Sequence, residues 1–257
     1  MPTLQIALHQ TASGLDPADN LAALDASRDA EPGSLVVFPE VFMRDFGKAG
    51  SDISQFAEPL DGPFVSRLAE VAAATGATLV AGMFEISGDP RRPYNTLVAV
   101  DRDGLRASYR KIHLYDSFGY RESDALSAGD VAPVVVEVGG WQVGLMTCYD
   151  LRFPELSRAL VDRGAQLVVI PAAWVAGPGK VDHWRTLAKA RAIENTVYVA
   201  AAGQPGPRYT GHSLVVSPTG EVVADVADGE QVLHASVSTQ TLDAARAENP
   251  SLANRRM

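Results

Sequence analysis

An α/β fold of packed sheets covered by helices is what the sequence predicts, on three observations. Short, wholly apolar runs such as residues 34–39 and 166–171 alternate along the chain with stretches of helical spacing. Several neighbouring apolar runs are joined by tight glycine turns, which make antiparallel hairpins and argue against a simple parallel barrel. Two of the buried runs end alike, Leu35-Val-Val-Phe-Pro39 and Leu167-Val-Val-Ile-Pro171, which points to a pseudo-symmetric pair of sheets, although the letters show no repeat.

Taken in order, residues 1–9 read as an edge strand and lack the basic segment of a secretion signal. Residues 15–24 carry Pro17 near their start and apolar residues at helical spacing, and 34–39 form a buried strand ended by Pro39, with Glu40 just beyond it. The helix expected at 61–75 is stopped by Gly76 before a strand at 78–84. Residues 94–100 and 105–110 form a hairpin about Asp101-Arg-Asp-Gly104, and Lys111 follows directly.

Residues 112–131 are polar, aromatic and aperiodic; a connection of that length inside a compact domain is usually functional, so they read as an active-site loop. A second hairpin, 133–138 and 141–146 about Gly139-Gly140, leads into Cys148. Pro154 and Glu155 open a helix at 154–161, followed by the strand at 166–171, a helix at 182–194, a strand at 197–201 and a hairpin at 212–224 turned at Pro218-Thr-Gly220. From about residue 239 the chain is rich in Ala, Arg and Asn and is expected to be a C-terminal extension without a buried element. One domain over 1–257 is the expectation.

Hydrophobic residues make up 46% and charged residues 21% of the 257, enough apolar material for a large core and too little charge for a disordered chain. A net charge of -9 argues against nucleic acid and against an anionic membrane surface, both of which call for basic patches. No run reaches the length of a membrane-spanning helix, and a cytoplasmic location is expected. A single cysteine excludes an internal disulfide and any cysteine-cluster zinc site. His183 stands alone in its helix without metal-ligand spacing, and no cofactor is expected.

That cysteine, Cys148, lies just beyond the carboxyl end of a strand, where ligands collect in α/β folds. A free cysteine is also a common apolar filler, so position alone makes it only a candidate. Glu40 and Lys111 stand at comparable strand ends. Each alone reads as a solvated surface charge; together they supply what thiol catalysis needs. A partly desolvated carboxylate suits proton exchange with the thiol near neutral pH, and an ammonium can donate to the oxyanion formed when sulfur attacks a carbonyl or nitrile carbon. A Cys–His dyad using His113 is the rival arrangement, set against a histidine that is merely hydrogen-bonded locally.

Phe38-Pro-Glu40, Tyr109-Arg-Lys-Ile-His-Leu-Tyr115 and Cys148-Tyr-Asp-Leu-Arg-Phe-Pro-Glu155 resemble, in order and spacing, the three signature segments of the nitrilase or carbon–nitrogen hydrolase superfamily. Tyr94-Asn-Thr96, Ala190-Arg-Ala-Ile-Glu-Asn195 and the run from Gly211 to Gly220 extend the likeness over residues from about 4 to about 235. The resemblance implies a four-layer α-β-β-α sandwich with Cys148 as nucleophile, Glu40 as general base and Lys111 as oxyanion stabiliser. It further implies that Glu122 holds Lys111 and that the backbone N–H of Tyr149 is the other oxyanion donor.

The wording after the cysteine is more similar to Nit-type amidases, ω-amidase and deaminated-glutathione amidase, than to true nitrilases. The expected reaction is hydrolysis of a small carboxylate-bearing linear amide to acid and ammonia through a thioester. Arg44, Arg121 and Arg152 are candidate cations for the carboxylate, Arg152 reading more as a structural residue, and Trp174 is expected to line the pocket. Alternatives on the same triad are a nitrilase or an N-carbamoyl amidohydrolase. A non-catalytic binding protein on the same fold is a third reading, and one against which all three triad residues stand. The resemblance also implies a homodimer or higher homo-oligomer, with helices near 154–163 and 182–194 as contact surfaces.

Overall fold

The computed structural model describes residues 2–256. In chain order come β1 (Thr3–Gln10), α1 (Pro17–Ala23), β2 (Leu35–Val37), α2 (Pro63–Thr75), β3 (Thr78–Glu85), β4 (Tyr94–Asp101) and β5 (Gly104–Arg110). A small hairpin follows, β6 (Asp116–Ser117) and β7 (Tyr120–Arg121). The second half runs through β8 (Val135–Val138), β9 (Trp141–Leu145), α3 (Pro154–Asp162), β10 (Leu167–Ala172), α4 (Lys180–Asn195), β11 (Tyr198–Gly203), β12 (Leu214–Val216), β13 (Val222–Asp225), β14 (Gln231–Ser238) and α5 (Thr239–Glu248).

Two six-stranded sheets result, ordered β14-β1-β2-β3-β4-β5 and β13-β12-β11-β10-β9-β8. In the first, β1, β2 and β3 run parallel at the centre; in the second, β9, β10 and β11 do the same. Antiparallel strands flank both parallel triplets. The pseudo-symmetry expected from the matching ends of 35–39 and 167–171 is therefore present in the topology, with β2 and β10 in equivalent places.

The layers follow from side-chain alternation along strands buried on both faces. On β2, Leu35 and Val37 point to the other sheet, joining a core with Leu4, Ile6, Leu8, Val143, Leu145 and Val169. Val36 points the opposite way and packs with Phe38, Leu79 and Ala81 against Phe64, Leu68 and Val71 of α2. On the far side of the second sheet, Leu156 and Leu160 of α3 and Trp184, Ala188 and Ala192 of α4 close the fourth layer. The expected α-β-β-α sandwich is the observed one. Left-handed Gly76 ends α2 as the sequence predicts, and the helix begins at Pro63 rather than at the expected 61.

Three expectations change. Residues 1–9 do not form an edge strand, because β14 pairs antiparallel with β1 along its whole length, from Thr3↔Ser238 to Gln10↔Gln231. The tail is not free of buried structure: Ser238 caps α5 by accepting from the Thr241 N–H at 3.2 Å, and Leu242 and Ala245 are buried. Arg246 ties the helix down by donating to the Thr196 and Ala165 carbonyls at 3.1 and 3.3 Å. Finally, α4 begins at Lys180, ahead of the expected start at 182.

Candidate active site

Glu40, Lys111 and Cys148 each stand just past the carboxyl end of a strand, β2, β5 and β9 respectively, and Ala173 and Trp174 stand past β10. Because the two sheets face each other, these ends converge on one cavity of about 460 Å³. The loop between β5 and β8 folds its hairpin and a following turn over the cavity, which brings Glu122, Tyr115 and Tyr120 into the wall.

The charged groups are almost fully withdrawn from solvent: Glu40 is 1% exposed, Lys111 2%, Glu122 2% and Cys148 7%. Burial of that kind is tolerable only with close partners. The Lys111 ammonium donates to Glu40 Oε1 at 2.9 Å and to Glu122 Oε2 at 2.8 Å, bridging both carboxylates. Glu40 is held from two further directions, by Asn95 Nδ2 at 2.7 Å and by the Ala173 N–H at 2.7 Å. Glu122 also accepts from the Tyr115 N–H at 2.5 Å. Lys111 is thus fixed between two anions that are themselves fixed by other strands.

Electrostatics follow from the count of charges. Two carboxylates and one ammonium leave the buried cluster with surplus negative charge before the thiol is added. Burial, and then the Glu40 charge, push the Cys148 thiol well above the usual cysteine range, with Lys111 opposing them. Burial works against the Lys111 ammonium, but Glu122 and Glu40 override it and hold that lysine above its ordinary range. Burial raises Glu122, against the pull of Lys111. At rest the site therefore holds a neutral thiol beside the Glu40 carboxylate.

Backbone geometry presents the sulfur. Cys148 has φ of 45°, left-handed and uncommon for a residue with a side chain, as the chain leaves β9 for a short 3-10 turn. Asp150, fully buried, anchors this turn: its carboxylate accepts from the Thr147 N–H at 2.9 Å, the Tyr109 hydroxyl at 2.7 Å and the His113 N–H at 3.1 Å. His113 Nδ1 lies 2.8 Å from the same carboxylate and its ring stacks on Phe153 with centroids 3.8 Å apart. His113 is thus engaged with Asp150, and it is not among the residues lining the cavity.

Of the residues expected to bind substrate, Trp174 lines the cavity. The Tyr149 side chain does not; it packs edge-on against Tyr115 and Phe153, at centroid distances of 5.0 and 5.3 Å. On β7, Tyr120 turns to the cavity and Arg121 to solvent, 3.5 Å from Asp124. Arg44 is buried, its guanidinium donating to the Asp45 carbonyl at 2.7 Å and lying over the Phe56 ring, and neither arginine is among the residues lining the cavity. Arg152 lies over the Trp174 ring, 5.0 Å from its centroid.

The cations that do line the cavity with Lys111 are Lys180 and Arg208, neither singled out by the sequence reading. Arg208 pairs with Asp45 at 2.7 Å. Asn95 and Asp150 sat inside recognised segments, but their partners come from distant strands and only the fold reveals them. Among the described residues, no group of three or more His, Cys, Asp or Glu side chains is arranged to hold a metal ion.

Comparison with known proteins bears on what such a site does. A model of the carbon–nitrogen hydrolase family matches residues 5–247. The chain is 44% identical to a hydrolase of Mycobacterium tuberculosis, with 95% of this chain and 92% of that one covered. It is 39% identical to the deaminated glutathione amidase of Escherichia coli, with 93% and 91% covered. Among solved structures, it matches a glutamate-to-glutamine mutant of the amidase from a Nesterenkonia species with a TM-score of 0.81, 33% identity, and 98% and 94% of the two chains covered. That structure shows covalent addition of the acetamide moiety of fluoroacetamide at the active-site cysteine. With family match, relatives and fold in agreement, the chain belongs to the carbon–nitrogen hydrolase family and is a hydrolase of carbon–nitrogen bonds.

Proposed function

We propose that the chain hydrolyses a small linear amide bearing a free carboxylate, releasing the acid and ammonia through a thioester on Cys148. The observation that carries this reading is the buried Lys111 ammonium, bound to Glu40 at 2.9 Å and Glu122 at 2.8 Å in the wall of the cavity that also holds Cys148. Glu40 takes the thiol proton as the sulfur attacks the amide carbon. The oxyanion receives hydrogen bonds from Lys111 Nζ and from the Tyr149 N–H, which lies in the first turn of its short helix and has no intrahelical acceptor there. Glu40 returns the proton to the departing ammonia. Water then enters, gives its proton to Glu40 and attacks the thioester, and the acid leaves as the thiol is restored. Glu122 touches Lys111 and holds it in place.

The amidase from the Nesterenkonia species supports a cysteine nucleophile, and the deaminated glutathione amidase of Escherichia coli supports an amide with a carboxylate. The test is ammonia release from a panel of ω-amides of dicarboxylic acids, neutral amides, nitriles and N-carbamoyl compounds, with mass spectrometry of quenched enzyme. Turnover of amides with an acyl adduct on the peptide containing Cys148 is expected. Turnover confined to nitriles or N-carbamoyl compounds, or no adduct and no ammonia, overturns the reading.

A further inference from the structure

Three cations line the cavity, and two are already neutralised: Lys111 by Glu40 and Glu122, and Arg208 by Asp45 at 2.7 Å. The third, Lys180, has no carboxylate within ion-pairing distance among the described residues. It stands at the first position of α4, where the helix dipole disfavours a positive charge. Its surroundings are aromatic: the Nζ lies 4.1 Å from the centroid of Phe118, 5.4 Å from Tyr115 and 5.7 Å from Trp174. One ammonium hydrogen goes to the Tyr115 hydroxyl at 3.2 Å, which leaves two donors free. Arg152 also stands at the Trp174 ring, 5.0 Å from the centroid and within 3.3 Å of His183 Nδ1, likewise without a carboxylate partner among the described residues.

A half-buried ammonium with free donors, in a cavity lined by aromatic rings and reinforced by a second cation, is a place for an anion. We propose that Lys180 is the specificity residue that binds the substrate's free carboxylate, with the neighbouring Arg152 adding attraction. This rests on the amidase reading above. Burial and then the neighbouring Arg152 charge lower the Lys180 pKa, the direction expected of a cation awaiting a counter-charge. The aromatic rings of Tyr115, Phe118 and Trp174 hold the ammonium by cation–π contact.

The test compares glutaramate with pentanamide, an amide of the same length that lacks the carboxylate. In Lys180→Met, the ratio of kcat/KM for glutaramate over pentanamide should fall about tenfold or more, through KM, while Lys180→Arg should keep most of the preference. Binding is measured separately by calorimetry with glutaramate and pentanamide on Cys148→Ala enzyme, which needs no turnover; adding Lys180→Met should abolish the preference for glutaramate. Equal losses on both amides, or an unchanged glutaramate preference in binding, overturn the proposal. Absence of ammonia from every amide with wild-type enzyme would instead overturn the amidase reading, and the calorimetric comparison would still decide Lys180.

Discussion

Gly82, in the middle of β3, lies directly under the peptide that joins Glu40 to Val41. A Cβ built on it would stand 2.3 Å from the Val41 nitrogen and 3.0 Å from the Glu40 Cα. The Met43 N–H also donates to the Gly82 carbonyl at 2.9 Å, and Val41 has φ of 49°, so the loop carrying Glu40 is pressed onto this one glycine. Both contact atoms are backbone and neither can swing away. Gly82→Ala should therefore displace Glu40, lowering kcat about a hundredfold at a stability cost of roughly 1–3 kcal/mol. Thermal melts beside steady-state rates check it, and full activity in a folded variant would refute it.

In the proposed mechanism Glu40 accepts the thiol proton, and its charge raises the thiol pKa at rest. Glu40→Gln should then have two opposite effects. Amide turnover should fall by about 10²–10⁴, while the thiol pKa should drop, because the negative charge that raises it is gone and Lys111 remains. Iodoacetamide labelling of Cys148 against pH reads the second effect directly: the labelling profile should move to lower pH in the variant. A shift to higher pH would mean that Glu40 activates the thiol by pulling its proton in the ground state, contrary to the electrostatics above.

Much of the fold was legible because its central strands are buried on both faces, and such strands write themselves as continuous apolar runs: Leu35–Val37 and Leu167–Ala172 are wholly buried. β14 was illegible for the opposite reason. At the edge of its sheet it buries only Leu233 and Val237, at 7% and 1% exposure, and its other residues are mixed polar. Glu40 and Lys111 could be read because each follows a recognisable strand end, whereas Glu122, in an aperiodic loop, was reached only through the resemblance. Gly82, Asn95, Asp150 and Lys180 could not, since their significance lies in what they touch. Asp150 means little until Tyr109 and His113 are brought to it from another sheet, and the outward turn of Arg121 was illegible because sequence proximity to Glu122 says nothing of which face of a two-residue strand it takes.

The first sheet contains a histidine that links folding to pH. His9 is 4% exposed, stacked on Phe38 at 4.4 Å, and burial together with the His234 charge lowers its pKa from 6.5 to about 4. A histidine depressed in the folded state binds its proton more readily when unfolded, so stability rises with pH through this window. Its contribution is complete above about pH 6.5 and is lost as pH falls toward 4, a difference of roughly 3 kcal/mol. Urea titrations at pH 4.5, 5.5 and 7 should show a slope in wild type that is flatter in His9→Phe. Parallel slopes in the two proteins would place the acid sensitivity elsewhere.

Asp150 and His113 separate the triad from the cysteine–histidine alternative. If His113 only completes the Asp150 anchor, His113→Ala should keep most of the amidase activity, with a change of a few-fold from loss of the Phe153 stack. Asp150→Asn should be far more damaging. It leaves an amide where a carboxylate accepts from Thr147, Tyr109 and His113, forcing at least one donor into a repulsive contact in a fully buried place. The turn that carries Cys148 in its left-handed conformation loses its main restraint, so activity should drop at least tenfold while Cys148 stays present and titratable. The pH–rate profile discriminates further: in His113→Ala it should keep the wild-type shape. Loss of a limb in that variant, accompanied by a rate fall comparable to Glu40→Gln, would establish His113 as the base and displace Glu40 from that role.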